Sequence, residues 1–354
     1  MKKMDLDLIF QFCICTDDMK STLNSWRQLF NLDEDSIIYK NTKDIFDRGE
    51  YHGCNYNEQP CEFFHKYYRL NMGHMDLEMI EPITKDISNP YTDFLAQNGR
   101  GIHHLGTKFR DRSILVDDMK EMGFPITNYG FMGPKDQPIE TRPDCYFYDL
   151  RDQLGVTFEA GLAVVGPLAA DKRSGDNSTA TQLNSFANKP VLDEVEPLEG
   201  IEKIDVNQMF QLCVCANDCE AVIANWKEWF NLDDVSVYRY EDVEYKLCRL
   251  EIGGIDFAVV EPLNKAPGTP FADYLIQNGG QNGIHHISLE VKNYDAVVYN
   301  MKKLGYKRIA NVQTAVSKHV KDVRSITFDL RDRLGCIVEF TDKSVGTLAR
   351  NPRY

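Results

Sequence analysis

Phe10-Gln11-Phe12-Cys13-Ile14-Cys15 returns later in the chain as Phe210-Gln211-Leu212-Cys213-Val214-Cys215. Trp26 and Phe30-Asn31-Leu32-Asp33 return at the same spacing as Trp226 and Phe230-Asn231-Leu232-Asp233. Further on, Met79-Ile80-Glu81-Pro82 matches Val259-Val260-Glu261-Pro262, and Gly101-Ile102-His103-His104 matches Gly283-Ile284-His285-His286. Asp149-Leu150-Arg151-Asp152 with Leu154-Gly155 matches Asp329-Leu330-Arg331-Asp332 with Leu334-Gly335. Because the markers keep their order, the chain reads as a duplicated domain. The stretch between the copies, with DKRSGDNSTATQLNS at its centre, lacks hydrophobic periodicity and suits a linker. The expected division is copy one at 1–164, a linker at 165–206 and copy two at 207–354.

Composition agrees with two soluble cores. The chain has 354 residues, 43% hydrophobic and 27% charged. Lys plus Arg number 40 against 54 Asp plus Glu, and the net charge of -14 argues against nucleic acid or an anionic membrane surface as partner. No apolar run approaches the ~18 residues of a membrane span, and Asp5 and Asp7 interrupt the N-terminus unlike a signal peptide, so the cytoplasm is the expected compartment. Ten cysteines without a CxxC pair read as reduced packing thiols rather than a disulfide framework.

Inside copy one the hydrophobic period switches twice. Residues 8–15 alternate as a strand, Asp17 and Asp18 stand where a helix cap belongs, and Met19, Leu23, Trp26 and Phe30 recur at helical spacing. Two short strands flank Gly73 as a hairpin. After Gly101 the order begins again: a strand at 103–108, a helix near 113–122, and strands near 145–148 and 156–159. Each copy is therefore two strand-helix-strands modules, an α+β fold.

Residues two apart in a strand share a face, so parity decides which side chains can meet. Gln11 shares a face with Cys13 and Cys15, His104 with Gly106, Glu78 with Asp76 and Ile80, and Glu159 with Thr157. Small residues beside polar ones suggest a hollow floor onto which Gln11, Glu78, His104 and Glu159 project. By the same parity His103 and His285 fall on the opposite face and read as structural. A single strand Gln or Glu usually faces water, and a His in an apolar run is usually a satisfied core residue, so the case rests on the combination. The Cys-x-Cys pairs are better explained as small packing residues than as thiolate ligands, because a soft site gathers four of them.

On these residues the chain resembles the vicinal oxygen chelate superfamily of glyoxalase I, methylmalonyl-CoA epimerase, extradiol dioxygenases and bleomycin-resistance proteins. Met79-Ile80-Glu81-Pro82, Asn89 to Gly99, Gly101-Ile102-His103-His104 and Gly155-Val156-Thr157-Phe158-Glu159 place it nearest the epimerase branch. The resemblance implies two tandem domains, each of two βαβββ modules forming a curved mixed sheet around a concave metal site. It implies metal ligands at Gln11, Glu78, His104 and Glu159 in copy one, the glyoxalase I combination. In copy two Gln211, His286 and Glu339 hold three of the places, but Ala258 stands at the fourth. Tandem members of the glyoxalase branch can also build one site across two domains, which would mix Gln11 and Glu78 with His286 and Glu339.

One imidazole, two carboxylates and an amide suit Mn, Co, Ni, Zn or Mg, with Fe a poorer match. Such an ion, chelating a carbonyl and a neighbouring oxygen, favours proton loss from the carbon between them. The expected function is a metal-dependent isomerase or lyase, glyoxalase- or epimerase-like, acting on a small-molecule oxo substrate. Glu159 is the expected base, with Glu62 and His65 as weaker candidates. Lys66 and Arg69, repeated as Lys246 and Arg249, are candidate substrate contacts, although an edge strand with protective positive charge explains them equally. A homodimer stays open. The rival readings are an extradiol or hydroxyphenylpyruvate-type dioxygenase, which normally needs two His and one carboxylate, and a non-enzymatic binding or resistance protein.

Overall fold

The computed structural model describes residues 3–73, 75–109, 112–132, 144–161, 188–310, 312, 314 and 323–343. Much of the expected linker lies outside the described residues. Copy one runs β1 (Leu6–Cys15), α1 (Met19–Leu29), β2 (Ile38–Asn41), α2 (Thr42–Asp47), β3 (Tyr51–Tyr56), β4 (Gln59–Pro60), β5 (His65–Asn71), β6 (Asp76–Pro82) and α3 (Pro90–Asn98). It continues through β7 (Gly101–Phe109), α4 (Arg112–Glu121), β8 (Asn128–Met132), β9 (Asp144–Leu150), α5 (Arg151–Leu154) and β10 (Val156–Gly161). Copy two repeats the order without the insertion: β11 (Val206–Cys215), α6 (Cys219–Trp229), β12 (Tyr238–Glu241), β13 (Tyr245–Ile252), β14 (Ile255–Pro262) and α7 (Pro270–Gln277). It ends with β15 (Gly283–Val291), α8 (Tyr294–Lys303), β16 (Arg308–Ile309), β17 (Ser325–Leu330), α9 (Arg331–Leu334) and β18 (Cys336–Thr341).

Each copy forms one mixed sheet. The first has ten strands in the order β2-β5-β6-β1-β7-β10-β9-β8-β3-β4, and the second has eight in the order β12-β13-β14-β11-β15-β18-β17-β16. In both, the two modules join where their first strands pair antiparallel, β1 with β7 and β11 with β15. Copy one adds α2, β3 and β4, which the sequence pattern did not reveal. This insertion leaves β2 at one edge of the sheet and pairs β3 with β8 near the other. A six-residue helix about 9 Å long, with three flanking residues, makes that crossing, so the sheet must curl until its edges nearly meet.

The convex faces of the two sheets pack into one continuous core containing Phe12, Ile14, Trp26, Leu77, Leu105, Phe158, Leu212, Trp226, Phe257 and Val338. Its contacts are reciprocal. The Trp26 indole donates to the Leu334 carbonyl at 3.0 Å, and the Trp226 indole to the Leu154 carbonyl at 3.1 Å. Met4 bridges to Phe230 and Ile204 to Phe30, so the segment leading into each copy lies on the other. This explains one repeated motif. Gly155 and Gly335 follow α5 and α9 with φ of +77° and +78°, and a Cβ on either would meet the other copy's strand, at 2.2 Å from Val214 and 2.4 Å from Ile14. Glycine is required there for both its backbone angle and its lack of side chain.

The repeated Glu-Pro pair also has a structural use. Glu81 accepts a hydrogen bond from the Met19 amide at 3.0 Å, and Glu261 from the Cys219 amide at 3.3 Å, placing a negative charge at the start of α1 and α6. Asp18 caps α1 through the Ser21 amide, whereas Asp17 pairs with Arg100. Among the described residues, no helix is long and apolar enough to cross a membrane.

Candidate functional site

The concave face of the first sheet brings together the four residues that parity selected. Gln11 on β1 lies between β6 and β7, Glu78 is on β6, His104 on β7 and Glu159 on β10, whose pairing with β7 sets Glu159 opposite Gly106. Gln11 Nε2 donates to Glu78 Oε2 at 2.9 Å and lies 3.4 Å from Glu159 Oε2. His104 Nε2 is 3.1 Å from Glu159 Oε2 and 3.4 Å from Glu78 Oε2. A Cβ on Gly106 would sit 2.8 Å from Gln11 Cβ, so glycine supplies the room in which the amide can turn. Among the described residues, the four side chains in contact here all come from copy one rather than from both copies.

The cluster fits a divalent ion on two observations. Gln11 Oε1 is buried and has no hydrogen-bond partner among the described residues. Rotating the amide exchanges Nε2 for this oxygen, an exchange of positions that side-chain shape alone does not resist. The donor spacings of 2.9–3.4 Å are also those of neighbouring ligands, since bonds of about 2.1 Å at right angles set donors about 3.0 Å apart. Cys13 joins Glu78 and His104 in a buried group whose ligand atoms lie within 4.8 Å of one another. Burial and the neighbouring Glu78 push its thiol pKa well up, so it stands there as a neutral thiol.

Two partners missed or misjudged from sequence fix the cluster. Arg69 donates from Nε to Glu78 Oε1 at 2.9 Å with both side chains buried, and its guanidinium stacks 5.0 Å over the Tyr67 ring. Burial would raise the Glu78 carboxyl, but Arg69 and His104 outweigh it and hold it well below its ordinary value. Arg69 is thus a partner of Glu78 rather than an exposed substrate contact. Lys66 lies opposite Glu81 on the other face of the sheet, 3.2 Å from that carboxylate and away from the cluster.

The second partner is His103. Parity put it on the convex side, but the β1–β7 register shifts between Cys13 and Ile14, so that His103 and His104 together oppose Cys13. A bulge re-aims the extra side chain. His103 Nδ1 consequently lies 2.9 Å from His104 Nδ1. Burial keeps His103 neutral, and a neutral His103 accepting from His104 Nδ1–H leaves the His104 Nε2 lone pair for the cluster. The same bulge recurs in copy two, where His285 and His286 are 2.8 Å apart.

Glu62 is exposed, which leaves it outside the cluster. His65 packs against Tyr67 and Tyr91, and burial lowers its pKa to about 4. Of the four converging side chains Glu159 retains the most exposure, 6% against 0–2% for the others. Its carboxyl, raised by burial, is brought below its ordinary value by His104.

Copy two brings Gln211, His286 and Glu339 together as well, but around a plug. Thr314 Oγ1 donates to Gln211 Oε1 at 2.8 Å and lies 3.0 Å from His286 Nε2, while the Thr314 amide donates to Glu339 Oε2 at 3.3 Å. Ser288, opposite Gln211 where copy one has Gly106, reaches Gln211 Oε1 at 3.1 Å and Glu339 Oε2 at 2.9 Å. Gln211 Nε2 donates to Asp256. Each polar atom of the set thus finds a protein partner. Of the two arrangements open for copy two, a three-ligand site helped by water or a degenerate one, this internally bonded packing resembles the second.

Comparison with known proteins accords with this architecture. The sequence profile of the Glyoxalase/Bleomycin resistance protein/Dioxygenase superfamily matches residues 10–139 and 210–327, and the chain belongs to that family. A triple mutant of 4-hydroxymandelate synthase from Streptomyces coelicolor aligns over 100% of this chain and 97% of its own, with a TM-score of 0.55 and 12% identity. At that identity the likeness establishes the fold alone. A methylmalonyl-CoA epimerase variant from Streptomyces coelicolor, in complex with 2-nitronate-propionyl-CoA, covers 38% of this chain and 96% of its own at 16% identity, TM-score 0.31. A second methylmalonyl-CoA epimerase structure covers 40% and 97% at 17% identity, with the same TM-score. No curated protein matches the chain.

Proposed function

We propose that copy one holds one divalent ion through Gln11, Glu78, His104 and Glu159, and that the protein is an isomerase or lyase moving a proton on the carbon beside a carbonyl. The observation that carries this reading is the convergence of one imidazole, two carboxylates and an amide in a buried cluster with ligand-like spacing. An ion bound there would act as a Lewis acid on the substrate carbonyl. Mn, Co, Ni, Zn or Mg suits these donors.

The chain's own residues divide the work. Arg69 keeps Glu78 ionised and oriented, which makes it a poor proton acceptor. Glu159, the most exposed of the four and tied to its partners through a single oxygen in the described contacts, takes the proton. His103 holds the His104 tautomer. With His104 neutral, Arg69, the two carboxylates and a dication together leave one positive charge. That matches the single negative charge a carbonyl compound gains on losing the adjacent proton.

A dioxygenase is the second reading, because the family's name includes dioxygenases. The single imidazole of copy one counts against a two-His, one-carboxylate iron site. Metal analysis of the purified chain, followed by solvent deuterium exchange into small 2-oxo and 3-oxo compounds, separates the two. Bound Mn, Co, Ni, Zn or Mg with exchange lost in Glu159→Gln supports the isomerase. Bound iron with oxygen uptake supports the dioxygenase, and a metal-free protein that still binds a ligand removes both.

A further inference from the structure

Where the two copies meet, a small cavity of about 40 Å³ is lined by equivalent residues from each: His103 with His285, Arg151 with Arg331, and Phe94 with Tyr274. Arg100 adds a third guanidinium. Among the described residues no Asp or Glu lines this cavity, although the chain as a whole carries a net charge of -14. The arginines are held from behind. Arg151 gives Nε and Nη2 to Asp149 at 2.8 and 2.7 Å, and Arg331 gives the same atoms to Asp329 at 2.9 and 2.6 Å. Arg100 is fixed by Asp17 and the Asp332 carbonyl. A guanidinium carries five N–H donors, and these aspartates take one edge of the Arg151 and Arg331 forks. The forks are thereby aimed and ordered before any ligand arrives, which lowers the entropic cost of gripping a second oxyanion. Both guanidiniums and Tyr274 belong to the walls of this one small cavity.

We propose that this cavity is an oxyanion site, shared between the copies, that takes the phosphate group of a small molecule between Arg151 and Arg331. Its size agrees: about 40 Å³ is the room of roughly three waters, close to one tetrahedral oxyanion. A second cavity of about 130 Å³ shares the walls formed by Phe94, His103, Arg151 and Thr157; its remaining lining includes Asn57, Gln97 and Asn128 and also the carboxylates of Asp93 and Asp149, so it suits an uncharged polar group rather than a second anion. The ligand's uncharged polar body, of roughly ten non-hydrogen atoms, extends there. His103 touches both cavities, so the site abuts the ring that orients His104. The inference does not depend on what copy one catalyses.

The test is calorimetric titration of the full chain with inorganic phosphate and, separately, with glycerol phosphate, at constant ionic strength in chloride. One saturable equivalent is expected, weakened about tenfold or more by Arg331→Gln and by Arg151→Gln, since each removes a charge-assisted pair of bonds. Tighter binding of the ester assigns the second cavity to its body, and equal affinities assign the site to the free anion. Gln277→Glu is the control against misfolding: the residue is exposed on the cavity wall, its change breaks no ion pair, and the added charge is expected to weaken binding severalfold. No saturable binding of either compound, or binding unchanged by all three substitutions, overturns the proposal.

Discussion

Copy one and copy two share eight sheet strands in the same order, the same bulge at the paired histidines and the same buried arginine at Arg69 and Arg249. They differ in what occupies the hollow. In copy one Gln11 Oε1 is buried without a partner among the described residues, and Gly106 leaves space beside the Gln11 side chain. In copy two Ser288 takes that space, Ala258 removes one carboxylate, and Thr314 ties the remaining three side chains to one another. The scaffold alone therefore does not make a site. Three positions decide whether a set of polar side chains is left wanting a cation or is satisfied without one.

The sharpest break in the comparison comes from matching substitutions at the two imidazoles. His104→Ala is expected to abolish stoichiometric metal binding and lower turnover by at least about a thousandfold, while His286→Ala leaves metal content unchanged; elemental analysis and exchange rates of the pair check this. A smaller effect is expected at the charge behind the ligand. Arg69→Met should weaken metal affinity roughly ten- to a hundredfold, as loss of an outer-shell partner does, whereas Arg249→Met should not alter metal content. The comparison can also be sharpened by repair. Ala258→Glu with Thr314→Gly and Ser288→Gly restores the missing carboxylate and empties the hollow, and equilibrium dialysis should find a second, weaker metal equivalent. If it does not, the plug is not what separates the copies. Where the copies are alike, effects should be alike: Trp26→Phe and Trp226→Phe each leave a buried carbonyl unpaired, and thermal melts should show similar losses of about 1–3 kcal/mol.

Much of this was legible in the sequence because a duplicated pattern carries its own control. Residues kept across the repeat, such as Trp26 and Trp226, mark the core, and period-two parity placed Gln11, Glu78, His104 and Glu159 on one face. Parity failed where the strand was not regular. His103 is re-aimed by one extra residue in the β7 pairing, a local backbone event with no compositional signature here. Arg69 was visible as a repeated charge, but its pairing with Glu78 depends on cross-strand register, which the hairpin around Gly73 sets only in three dimensions. The change from Gly106 to Ser288 could have been read as a hint of filling. Thr314 could not, because it comes from a stretch without periodicity and acts from outside the regular strands.

The reciprocal indole bonds and exchanged leading segments have a consequence for how such a chain can change. Two identical subunits around a two-fold axis must alter both hollows at once, because every mutation is copied by symmetry. Joining the halves into one polypeptide keeps the paired architecture while freeing each half to drift separately. One hollow could then be sealed into inert filling that props up its twin, leaving the other to keep the chemistry.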